Sequence, residues 1–85
     1  QRAGNDPHLL DTVGWIYLRS NRVAEARKIL EQVIALPNAS PNAWYHYAVL
    51  LSEQGEKQKA GEAARKALAL SPSFKYARQA RALAS

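Results

Sequence analysis

Apolar residues recur at helical spacing in the first part of the chain. Leu9, Leu10, Val13, Ile16 and Tyr17 form one such set, and Ala26, Ile29, Leu30, Val33 and Ile34 form a second after a polar break. Each set places its side chains on one face of an α-helix. The first helix is expected to open at Asp6-Pro7, where a carboxylate can accept from free first-turn amides and proline presets φ without wasting a donor. It should stop near Ser20-Asn21, because asparagine tolerates the left-handed conformation that ends helices. The second should run from about Val23 to Leu36 and meet the breaker cluster Pro37-Asn38-Ala39-Ser40-Pro41. Ser40-Pro41 restarts the same plan with Trp44, Tyr47, Ala48, Leu50 and Leu51, then a turn at Gly55 and a helix from Lys57 to Leu70. Ser71-Pro72 is expected to open a fifth helix that runs to the chain end.

The restart keeps a fixed period. Pro7 and Pro41, Ala26 and Ala60, Ala35 and Ala69, and Leu36 and Leu70 are each 34 residues apart. Residue classes match at the same offset, as in Leu10 with Trp44, Val13 with Tyr47, Gly14 with Ala48, and Ile16 with Leu50. A period in this range is the signature of stacked supersecondary units. The fifth helix breaks the pattern, since Trp44 and Tyr47 carried forward by the period land on Arg78 and Arg81. It therefore reads as a cap. Phe74, Ala77, Ala80 and Ala84 can cover the preceding helix, while Lys75, Arg78 and Arg81 form a stripe toward water. The organisation expected is a polar tail over residues 1–6, units over 7–40 and 41–74, and a capping helix over 75–85.

Composition narrows the reading. With 85 residues the chain buries only about 60–65% of the surface it exposes when unfolded, which leaves no room for an enclosed active site and a second domain. It has no cysteine, so neither a disulfide nor a thiolate zinc site is available. The formal net charge of +5 is unevenly placed: residues 1–56 sum to −1 and residues 57–85 to +6. That basic end has only Phe74 and Tyr76 to stack on bases, so a solvated face is favoured over nucleic-acid binding. No apolar run reaches the roughly 20 residues that span a bilayer.

A 34-residue helix-turn-helix unit with this spacing resembles the tetratricopeptide repeat, W-x2-L-G-x2-Y, then A-x3-F, then P. Leu10, Val13, Gly14 and Tyr17 fall on the first cluster, with Ala26 and Leu30 on the second. In the next unit Trp44, Tyr47, Ala48 and Leu51, then Ala60 and Ala64, then Pro72 take those places. Pro37 comes one residue early and Ala64 replaces a bulky aromatic, a space that Trp44 or Phe74 is placed to fill. Small residues at Gly14, Ala48, Ala26 and Ala60 would let paired helices approach closely. The resemblance implies an all-α, right-handed superhelix of two antiparallel helix pairs plus a C-terminal capping helix. It also implies a non-enzymatic interaction module whose first helices line a concave groove for a peptide or protein segment. The chain further resembles the C-terminal end of long bacterial repeat proteins.

By the same resemblance the groove would show His8, Asp11, Thr12, Trp15 and Arg19, then Asn42, Tyr45, His46, Val49 and Glu53, and Tyr76. Trp15 and Tyr45 are the expected anchors, since rigid aromatics supply contact area at low entropic cost; the alternative is that they pack on each other. One subgroup of the family grips a C-terminal carboxylate with two Lys, two Asn and an Arg. The matching places here hold Asp11, Trp15, His46, Tyr76 and Ala80, so that clamp is not expected. The rival reading is structural: the segment caps a larger superhelix or self-associates through an exposed first-helix face.

Other chemistry is weak. His8 and Asp11 share a helix face and His46 is expected on the same groove, but a solvated imidazole beside a carboxylate makes neither a zinc site nor a general base. No Gly-rich phosphate loop occurs, and no cofactor is implied. Asn38-Ala39-Ser40 is a formal glycosylation triplet followed directly by Pro41. Gly61 sits inside a helix, where it costs about 1 kcal/mol relative to alanine. If it faces solvent, Gly61→Ala should raise the melting temperature.

Overall fold

The computed structural model describes residues 6–85. Within them the chain forms α1 (Pro7–Arg19), α2 (Val23–Ile34), α3 (Pro41–Glu53), α4 (Lys57–Leu70) and α5 (Ala77–Ala84). Residues 1–5 of the expected polar tail lie outside the described residues, and Asp6 is the N-cap of α1. α1 packs on α2 and α3 on α4, while α2 also packs on α3. α3 touches both α1 and α5, so α1, α3 and α5 lie in a row on one side, with α2 and α4 on the other.

The 34-residue period is written into the backbone. Asp6 Oδ1 accepts from the His8 amide at 3.0 Å and Ser40 Oγ from the Ala43 amide at 3.2 Å, so both first helices are capped by the side chain before a proline. Each then turns through one left-handed residue, Asn21 at φ 64° and Gly55 at φ 82°. Past that residue the Arg22 amide donates to Tyr17 O at 2.8 Å, and the Glu56 amide donates to Leu51 O at 2.9 Å. Equivalent bonds at a constant offset make the two helix pairs the same local object.

Inside each pair, small residues set the distance. A Cβ added at Gly14 would lie 2.8 Å from both Cγ and Cδ2 of Leu30, which is completely buried. Ala26, Ala48, Ala60 and Ala64 are buried in the same core, with Trp44 and Phe74 packed against it. Polar groups lace the outside. Arg27 donates to Glu56 at 2.9 Å and to Glu31 at 3.2 Å, and the Tyr47 hydroxyl donates to Glu31 at 3.1 Å. The Arg27 hydrogen bond holds the Glu56 carboxyl below its usual range, and the Glu56 hydrogen bond raises the Arg27 guanidinium.

Three expectations need correction, and the condition set on Gly61 is decided. α2 ends at Ile34 rather than Leu36, because Leu36 precedes Pro37 and is pushed out of the helical region, with the chain continuing through tight turns. α5 begins at Ala77, not at Ser71-Pro72: turns from Phe74 N–H to Ser71 O and from Ala77 N–H to Phe74 O carry residues 71–76. These turns direct Phe74 and Tyr76 against Tyr45. Leu9 and Ile16 share the single apolar face that the spacing gives α1, but that face is not covered at either residue: they are 42% and 56% exposed. Gly61 does not face solvent; it is buried, and an added Cβ would meet the Leu83 carbonyl oxygen at 3.3 Å.

Gly14→Ala must displace Leu30 from a closed core, a cost that exceeds the helix-propensity gain. It is expected to destabilise the protein by about 1 kcal/mol or more, read by urea unfolding. Gly61→Ala pushes on the end of α5 and is expected to forfeit the gain that a solvent-facing glycine would give, with faster amide exchange over Ala77–Ala84. Glu56 titrates lower when folded, so its contribution is present above the ordinary carboxylate range and disappears as pH falls through the folded value. Glu56→Gln should therefore flatten the acid side of a stability–pH profile.

Candidate functional site

The row formed by α1, α3 and the approach to α5 carries a continuous set of planar side chains. Trp15 on α1 stacks on His46 of α3 with ring centroids 4.3 Å apart. His46 lies 5.7 Å from Tyr45 and 5.9 Å from Tyr76. Tyr45 stacks on Tyr76 at 4.8 Å, and Phe74 meets both edge-on. Cations close the two ends: the Arg19 guanidinium sits 4.7 Å from the Trp15 ring, and the Lys75 ammonium 5.3 Å from Tyr76.

Beneath this surface lies one buried polar contact. His46 Nδ1 is 2.7 Å from Asp11 Oδ1, and both side chains are about 9% exposed. A carboxylate only accepts, so Nδ1–H is the donor and the ring's orientation is fixed. The bond joins α1 to α3, and the imidazole it orients is the floor on which Trp15 stacks. A second link runs along the same seam, with Arg19 donating to Glu53 at 2.7 Å between side chains that are about half exposed. Tyr45 ionises above the ordinary tyrosine range because it is partly buried and because Tyr76 stands beside it.

The structure brings some expected residues together and separates others. Asp11, Trp15, Arg19, Tyr45, His46 and Tyr76 form the assembly described, with Glu53 at its edge. Trp15 and Tyr45 do not pack on each other; His46 stands between them. His46 is buried rather than solvated, and Asp11 pairs with it rather than with His8. His8 is exposed on the first turn of α1, where its carbonyl accepts from the Thr12 hydroxyl at 2.9 Å. Asn42 and Val49 are half-buried on α3, and Val49 packs toward the core. Among the described residues no group of three or more His, Cys, Asp or Glu stands close enough to hold a metal ion, so the Asp11–His46 pair has no third ligand. Sequence reasoning did not anticipate that pair or the part played by Phe74 and Lys75. One signal was available: Asp11 and His46 are 35 residues apart, one more than the period, which puts them on adjacent first helices nearly in register.

A family model described as Tetratricopeptide repeat matches residues 14–73 of the chain. No curated protein and no solved structure gives a match.

Asp11→Ala leaves a buried imidazole N–H without an acceptor and is expected to cost about 1–3 kcal/mol in chemical unfolding. Asp11→Asn keeps an acceptor and should cost less. A double-mutant cycle with His46→Ala should return a coupling energy, and simple additivity would show that the two side chains act independently.

Proposed function

Because the chain belongs to the tetratricopeptide repeat family, we propose that the α1–α3–α5 row is its concave binding face and holds a segment of another protein by shape and contact, without catalysis. Repeats of this family generally mediate protein–protein interaction. The observation that carries the reading is the aromatic assembly from Trp15 through His46 to Tyr45 and Tyr76, closed by Arg19 and Lys75. Stacked rings held by three elements lose little freedom when a partner lands on them, which is what an interaction surface needs for affinity. The modular reading keeps units 7–40 and 41–74 with a cap over 75–85, and assigns contact roles to Trp15, Arg19, Tyr45 and Tyr76. His8, Asn42 and Val49 lie at the margins, whereas Asp11 and His46 support the rings from below.

The choice of variants follows from burial. His46→Glu would set a second carboxylate against buried Asp11 and test folding rather than binding, so the probe should alter the half-buried tyrosines. Peptides selected from a displayed library on the 85-residue chain should bind a Tyr45→Ser, Tyr76→Ser variant at least about tenfold more weakly, as expected when hot-spot aromatics are removed. The variant's circular dichroism spectrum must be unchanged. Peptides that bind both chains equally would place the working surface elsewhere.

A further inference from the structure

We infer that α1 carries a second docking face, formed by Leu9, Val13 and Ile16 with Arg22 beside it, for an amphipathic helix that presents aliphatic side chains and one carboxylate. The inference rests on a comparison of the chain with itself. Moved forward by 34 residues, Leu9, Val13 and Ile16 become Ala43, Tyr47 and Leu50 of α3. On α3 that face is covered: Ala43 and Leu50 are completely buried, α2 packs there, and the Tyr47 hydroxyl reaches Glu31 of α2. On α1 the same face has no helix against it among the described residues, and Leu9 and Ile16 are two of the three exposed large hydrophobics. Because capping and turn bonds repeat at this offset, a helix set on α1 as α2 is set on α3 would bury the same three positions.

The internal comparison also states what that helix must look like. At the α2–α3 contact, Arg27 of α2 pairs with Glu56, the N-cap of α4. The residue equivalent to Glu56 is Arg22, the exposed N-cap of α2, whose guanidinium lies over Tyr17 at 5.9 Å. A helix docked on α1 therefore meets a cation where α2 meets an anion, and it needs a carboxylate at the place of Arg27. Val13 replaces Tyr47, so the place of Glu31 should be apolar. These two requirements argue against a second copy of the chain as the occupant. Its α2 would bring Arg27 against Arg22, and the apolar face of that helix is already used by α1 and α3.

The test titrates the 85-residue chain, with its methyl groups observed by NMR, with two synthetic helical peptides. Both carry the α2 sequence with Glu31→Leu; one also carries Arg27→Glu. The peptide with the carboxylate is expected to shift the methyl signals of Leu9, Val13 and Ile16 saturably. It should bind about threefold or more tightly than its Arg27 counterpart, the scale of an exposed charge pair. Ile16→Asp, at an exposed position that should leave the fold intact, should abolish the shifts, and Arg22→Glu should reverse the order of the two peptides. The inference is overturned if no saturable shift appears, if the shifts map to the aromatic face or to α5, or if either variant binds as the parent does. A dimer in sedimentation that Ile16→Asp dissolves would make a second copy the occupant and overturn it equally.

Discussion

The hydrogen bond between Asp11 and His46 is the constraint on which the α1–α3–α5 row depends. Among the described residues it is the one contact between buried polar side chains from different helix pairs, at 2.7 Å. Apolar packing alone is tolerant of small slips between neighbouring helices, whereas a buried carboxylate and imidazole lose their partners if α1 moves along α3. The bond fixes the imidazole plane, the plane fixes Trp15, and the tyrosines continue the same stack toward the turn before α5. Register between the units and shape of the surface are thus set together.

The rest of the fold rests on closeness within each pair. Helices of 8–14 residues are marginal on their own, and here they are held by side chains small enough to let partners touch. Gly14 lies directly against Leu30, and buried alanines serve the same end in the second pair. The fifth helix extends this economy by bringing its backbone up to Gly61, which explains a glycine inside a helix that propensity alone would disfavour.

Much of this was legible in the residues. Asp6-Pro7 and Ser40-Pro41 marked two helix starts, Asn21 and Gly55 marked two left-handed turns, and the period tied them together. What was not legible has a common cause: it depends on neighbours that a single helix pattern does not contain. Leu9 and Ile16 fit the apolar pattern of a buried face, yet what buries the equivalent α3 positions is α2, a helix outside α3 itself. Whether Gly61 faces solvent is undecided until α5 is placed on it. His46 reads as a groove residue until Asp11, on a different helix, is seen to reach it. The start of α5 was misplaced because Ser71-Pro72 is a sound opening signal, overridden by turns that seat Phe74 and Tyr76 against Tyr45.

Two surfaces of different character follow from one repeat. The aromatic row is finished, with its rings stacked and its ends closed by cations, and it offers a rigid face. The Leu9–Val13–Ile16 face is apolar and open. The shape of the aromatic row turns on His46 being held from below, and that is directly observable. In a long-range ¹⁵N–¹H NMR spectrum of the 85-residue chain, His46 should give one tautomer protonated at Nδ1, a slowly exchanging ring N–H, and cross-relaxation from the ring to Trp15. A ring N–H lost to rapid exchange, averaged tautomers and no contact with Trp15 would contradict it.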